Sequence, residues 1–166
     1  MTGTEHAARM RRIEELIDGL LARIAGVPEE TLHREAPDGW SVGHVLAHVV
    51  EFVPYWARQA EAVAARDRDG LPFGRTSDDA ERTGAIERRW RDAGGRLAQD
   101  LEASRDECVA TLERIPPAGW RRSGLHARRG AMSVTDIVDR FLVDHLAEHE
   151  TQAVRALAAH LEPGPR

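Results

Sequence analysis

The stretch Ser133-Val134-Thr135-Asp136-Ile137-Val138-Asp139-Arg140-Phe141-Leu142-Val143-Asp144-His145-Leu146-Ala147-Glu148-His149-Glu150-Thr151-Gln152 decides how this 166-residue chain folds. Ser133 with Asp136 three residues on reads as a capping box, and Met132 just before it can staple to Ile137, so a helix starts here. With Val134 as zero and about 100° per residue, Ile137, Val138, Phe141 and Leu142 span an arc from roughly −60° to +80°. That is the apolar stripe of a helix buried along one side. His145 falls near +20°, His149 near +60° and Gln152 near 0° on the same wheel. Three polar side chains thus occupy positions where Leu or Ile would be the default. Burying each costs roughly a few kcal/mol unless it finds a partner. Residues four apart share one helix face, the arrangement by which two imidazoles can grip one ion, although a histidine there can equally be a hydrogen-bonded core residue.

Working outward, three further segments carry helical periodicity and none alternates as a strand would. The second helix begins at Ser41, an N-cap with Trp40 outside it to staple to Val45. Its stripe is Val42, Val45, Leu46, Val49, Val50 and Val53, continuing to Trp56 and Val63. Pro54 lies inside the pattern and should kink or re-pitch the helix rather than end it. On this wheel His48 lies near −120°, at the edge of the stripe, where it can turn toward the fourth helix. His44, near −160°, should face solvent.

The first helix covers about residues 6–25, with Ile13, Ile17, Leu20 and Ile24 on its stripe, and Gly26, Val27 and Pro28 stop it. The third covers about residues 78–114, with Ile86, Trp90, Leu97, Leu101, Ser104, Cys108 and Leu112 spaced by threes and fours. Cys108 on that stripe reads as a buried small hydrophobe. The fourth should continue to about residue 160. The expectation is an all-α four-helix bundle forming a single domain over residues 1–166. Gly39-Trp40-Ser41 and Gly119-Trp120 precede the second and fourth helices, which suggests either a weak two-fold repeat or the shared grammar of amphipathic helices.

Composition narrows the partners. Apolar residues make up 42% and charged residues 31%, a globular balance. All 23 basic residues are Arg, yet the net charge is −5, which argues against a nucleic-acid partner because phosphate binding needs a concentrated basic face. One cysteine excludes an internal disulfide and suits a reducing compartment. With no apolar leader at Met1 and no apolar run of about 18 residues, a cytoplasmic protein without a membrane span is expected. His6, His33, His126 and His160 lie near termini or in loops and are expected at the surface.

Two segments carry a resemblance. Trp40-Ser41-Val42-Gly43-His44-Val45-Leu46-Ala47-His48 resembles the W-S-x-x-x-x-L-x-H signature of the DinB/YfiT-like metalloenzyme family, and His145 to Gln152 resembles its H-x-x-x-H-x-x-Q segment. The four helical segments cover nearly the whole chain. The resemblance implies an up-down-down-up bundle, often a homodimer, holding zinc or nickel on three histidines. Carried over position by position, the ligands are His48, His145 and His149, and His44 inherits no role. Several relatives are transferases or isomerases using a low-molecular-weight thiol such as bacillithiol or mycothiol. A metal on three imidazoles would keep an open position for chemistry. The expected function is therefore a metal-dependent thiol S-transferase, isomerase or hydrolase acting on an electrophilic small molecule. The alternative is a non-catalytic bundle, stabilised by metal, with a stress-related or interaction role. Glu148 and Gln152 are candidates to hydrogen-bond a ligand imidazole or to position a water or thiol. Arginines between Arg121 and Arg129 are candidates to meet an acidic substrate group.

Overall fold

The structure is a computed structural model that describes residues 3–159. Its bundle consists of α1 (Gly3–Ile24), α3 (Val42–Ala64), α5 (Gly94–Glu113) and a last helix in three parts. Those parts are α6 (Val134–Val138), a wide π turn (Asp139–Asp144) and α7 (His145–Ala158). A short α2 (Glu29–His33) follows the first helix, where a loop was expected. No described helix is long and apolar enough to cross a membrane.

Side-chain pairs between the helices fix their directions. Arg9 bonds Asp139 at 2.6 Å and Arg23 bonds Glu150 at 3.1 Å, so α1 and the last helix run parallel. Val50 pairs with Ser104, Arg58 with Glu107 and Glu61 with Arg114, so α3 and α5 also run parallel. Between α3 and the last helix the numbers run in opposite senses, since His48 meets His149 while Trp56 stacks on Phe141. The order is up-down-down-up, as the family resemblance implies. Each helix packs on two neighbours, with α1 against α5 and α7, and α3 against α5 and the last helix.

Parallel neighbours cannot be joined by a tight turn, so a long crossover links α3 to α5. It contains β1 (Leu71–Phe73) and α4 (Ala80–Arg89), which packs on α3. The unbroken third helix expected over residues 78–114 is therefore two helices. The break falls at Trp90–Ala93, just before Gly94-Gly95, a pair that disfavours helix continuation.

A second departure from expectation is a three-stranded sheet in order β1-β2-β3, with β2 at Ser123–His126 and β3 at Gly130–Ser133. The β1–β2 pairing is parallel and the β2–β3 hairpin antiparallel. Strands of three and four residues are too short to show alternation, which is why periodicity left them as loops.

Both helix starts form as read. Ser41 Oγ accepts from the backbone N–H of His44 at 3.2 Å, and the same exchange joins Ser133 to Asp136 at 3.1 Å. The third residue of the first box is unexpected: His44 Nδ1 accepts from the Ser41 backbone N–H at 3.1 Å. His44 is buried and stacks on Trp90 at 4.0 Å, which overturns the solvent-facing expectation. The cause is α3 itself. Every residue from Val42 to Val50 is buried, because α2, α4, α5 and the last helix all pack on it. A wheel that assumes one buried face fails for a helix enclosed on all sides. Gly43 shows how tight the enclosure is, since a Cβ there would lie 2.2 Å from the Trp90 carbonyl oxygen.

His6 and His126 are likewise buried rather than at the surface. His6 stacks on Trp120 at 4.1 Å, and the ring of His126 is hydrogen-bonded to the Arg75 carbonyl at 3.1 Å. His33 is half-buried, with its Nε2 3.0 Å from the Asp92 carbonyl. His160 lies outside the described residues.

Candidate metal centre

The π turn decides where the histidines point. In an unbroken α-helix the buried stripe that starts at Val134 would pass through His145. The π turn holds extra backbone, and beyond it the buried side chains are Leu146, His149, Ala153 and Ala156. The stripe has rotated, so His145 sits at its edge, with 32% of its side chain exposed. His149 remains inside, and His48, which the wheel put at an edge of α3, is 1% exposed.

The three imidazoles converge. Nε2 of His145 lies 3.2 Å from Nε2 of His48 and 3.2 Å from Nε2 of His149. One ligand atom from each residue lies within 4.8 Å of the others. Nitrogens about 2.0–2.1 Å from a tetrahedral zinc ion would stand about 3.3 Å apart. Two edges of the cluster match that spacing.

The far sides of the rings fix which nitrogen faces the centre. His149 Nδ1 lies 2.9 Å from Gln152 Oε1, and His145 Nδ1 lies 3.3 Å from Glu148 Oε2. Those oxygens can only accept, so each Nδ1 carries the proton and each Nε2 turns a lone pair inward. Gln152 is itself held by Asp38 Oδ2, at 3.3 Å from its Nε2. Gln152 and Glu148 therefore hydrogen-bond imidazoles of the cluster. His48 Nδ1 is buried without a partner. Trp40 adds a wall, its ring 6.2 Å from His149 and 5.8 Å from His48, and Phe52 lies 4.9 Å from His48.

The electrostatics keep the rings neutral. Burial pushes His48 down to about 2, helped by neighbouring His149 and Arg82. Burial and His145 push His149 down to about 4, against the bond from Gln152. His145 is lowered by burial despite Glu148. Burial would raise the Glu148 carboxyl, but the bond to His145 and the charge of Arg140 hold it below its usual range. Neutral imidazoles with inward lone pairs are the protonation state in which histidine binds a metal.

The cluster opens on a cavity of about 510 Å³. Phe52, Trp56 and Phe141 form its apolar side, and Trp56 and Phe141 stack at 3.8 Å. Arginines form the other side. Arg128 and Arg129, at the β2–β3 turn, line it, whereas Arg121 and Arg122 do not. Arg75 and Arg82, from the crossover, were not anticipated. No periodicity marks them, because a short crossover helix in an arginine-rich chain gives no sign of what it covers.

Three convergent imidazoles at the foot of a cavity, held by facing helices, are how bundle folds build metal sites in their cores. The DinB superfamily profile matches residues 12–153, and the chain belongs to that superfamily. Among solved structures it resembles YfiT from Bacillus subtilis, described as a probable metal-dependent hydrolase with an unusual four-helix bundle topology. The two share 13% identity over 96% of this chain and 90% of that one, with a TM-score of 0.77. It also resembles a variant of mycothiol-dependent maleylpyruvate isomerase, at 13% identity and a TM-score of 0.65. That match covers 95% of this chain but 62% of the isomerase. A search among curated proteins finds no relative.

Proposed function

We propose that this protein is a metal-dependent enzyme in which His48, His145 and His149 hold one divalent ion, zinc or nickel. The supporting observation is the convergence of three imidazole Nε2 atoms at the foot of an open cavity. A closed structural site would use four protein ligands; three would leave a coordination position open for chemistry. A metal there supplies Lewis acidity, enough to bring a bound water's pKa to about 7 or to hold a thiol as thiolate. The chain's own residues do the rest. Gln152 and Glu148 lock the tautomers of His149 and His145, and the rings of Trp40 and Phe52 pack against His48. The cavity holds an electrophilic substrate next to the activated water or low-molecular-weight thiol. The reaction class is hydrolysis or thiol transfer, the latter including thiol-assisted isomerisation. The metal-dependent hydrolase and thiol-dependent isomerase named among the structural relatives support this range.

The test combines elemental analysis with activity. Purified wild type is expected to carry close to one metal equivalent, and His48→Ala, His145→Ala and His149→Ala each to lose at least tenfold in metal affinity. Hydrolytic and thiol-dependent turnover, measured over a panel of electrophiles, should vanish with chelation and return with zinc or nickel. Metal that persists in all three variants would remove the site. Metal bound at these residues with no turnover that depends on it would favour the purely structural role.

A further inference from the structure

Two arginines in the cavity have no carboxylate partner among the described residues. Five arginines line the space: Arg75, Arg82, Arg128, Arg129 and Arg140. Three are tied to carboxylates, Arg75 to Glu51, Arg128 to Asp78 at 3.2 Å and Arg140 to Glu148 at 3.2 Å. Among the described residues, Arg82 and Arg129 have no carboxylate within ion-pair distance. Arg129 has an alternative, since its guanidinium carbon lies 5.5 Å from the centre of the Phe141 ring.

Arg82 is the harder case. It donates to the Ser77 carbonyl at 3.0 Å, and its other terminal nitrogen stands 3.5 Å from His48 Nε2. A guanidinium cannot shed its proton, so half-burying it beside the histidine cluster without an anion is unfavourable. The carboxylates that act on it from a distance, Glu51 and Asp79, do not reach ion-pair distance. Glu51 holds Arg75 through Oε1 while its Oε2 is buried without a hydrogen-bond partner, and Asp79 caps α4 through the Arg82 backbone N–H at 3.0 Å. The cavity thus presents a planar, charged fork on one side and hydrocarbon on the other.

We propose that this cavity takes an organic carboxylate, with Arg82 reading the carboxylate and the apolar body lying along Phe52, Trp56 and Phe141. The planar fork of Arg82 matches a carboxylate through two parallel hydrogen bonds. The apolar wall gives the rest of the molecule a surface to bury. This deepens the reading under Proposed function by naming the substrate class of the same site.

The test is isothermal titration with two probes of one shape, benzoate and its neutral analogue benzamide, on both chelated and zinc-reloaded protein. Benzoate is expected to bind at least tenfold more tightly than benzamide in both states. Arg82→Gln should cost benzoate at least tenfold and leave benzamide within about twofold. Arg114→Gln, whose partner is Glu61 and which does not line the cavity, should change neither. Arg82→Lys keeps the charge and loses the fork, and its benzoate affinity should fall between those of wild type and Arg82→Gln. This graded order separates recognition from a folding defect. Equal binding of benzoate and benzamide, or full benzoate affinity in Arg82→Gln, would overturn the proposal. Inorganic phosphate displacing benzoate at equal concentration would also overturn it, by showing a general anion site. Arg82-dependent benzoate binding in protein that takes up no zinc would leave the carboxylate site standing and the metal reading failed. Zinc uptake without discrimination between the probes would do the reverse.

Discussion

Pro54 has no N–H to offer the carbonyl of Val50, four residues earlier in α3, and a buried carbonyl without a donor is costly. The neighbouring helix supplies the donor. Ser104 of α5 gives its hydroxyl hydrogen to Val50 O at 3.2 Å, inside the core. Ser104 lay on the apolar stripe of its helix in the sequence, and this bond is the reason a polar residue stands there. Ser104→Ala should destabilise the protein by about 1–3 kcal/mol, the cost of leaving a buried acceptor unpaired. The loss should shrink when Pro54→Ala is added, because alanine at that position restores the helical N–H. Denaturant titration of the two single variants and the double variant measures that coupling, and additive effects would contradict it. One turn along, Cys108 shows the opposite behaviour of a small side chain. Burial pushes its thiol up to about 12, so the reactive thiolate forms far less readily in the folded chain than in the unfolded one. At pH 8 iodoacetamide should label native protein at least about 1000-fold more slowly than unfolded protein. The sign for stability follows from the same shift. As pH rises past about 9 the unfolded chain releases a proton that the folded chain keeps, so this group lowers stability there.

Among the elements, the last helix carries the site because of its π turn. The turn at Asp139–Asp144 moves the buried stripe off His145 and leaves that residue at the cavity edge, between His48 and His149. Deleting Val143 would remove the additional residue and leave a uniform α-helix with α7 still in register, whereas inserting one alanine after Val143 would rotate α7 by about 100° relative to α6. In the insertion variant His149, Ala153 and Ala156 would leave the core together. The expected outcome is near-unchanged helicity by circular dichroism, with a loss of about 3 kcal/mol, or a melting temperature lower by about 10 °C. Metal uptake should disappear in the same variant. An insertion variant that kept both its metal and its melting temperature, or a deletion variant that lost both, would show that the π turn does not set the register.

At the scale of the whole molecule, the sequence disclosed the parts governed by local chemistry. The capping boxes at Ser41 and Ser133, the stripes of α1, α3 and α5, and the histidine spacing on α7 all follow from neighbours a few residues apart. The DinB resemblance added the pairing of His48 with His145 and His149, which the wheel alone left at an edge. What stayed hidden depends on the crossover. The burial of His44 requires Trp90, the burial of His126 requires the β1–β2 pairing, and the place of Arg82 requires α4 to lie over α3. Each is a long-range contact without a local signature, and together they build the cavity.

The parallel pairing of α1 with the last helix also has a consequence for the order in which a growing chain can acquire its structure. Arg9 waits for Asp139 and Arg23 for Glu150, partners 130 and 127 residues away. As the polypeptide leaves the ribosome, α3 and α5 can meet early, but α1 keeps an open apolar flank until the last helix of the bundle has emerged. His48 waits as long for its two companions. The histidine cluster therefore comes together only when the helix that completes the bundle has emerged.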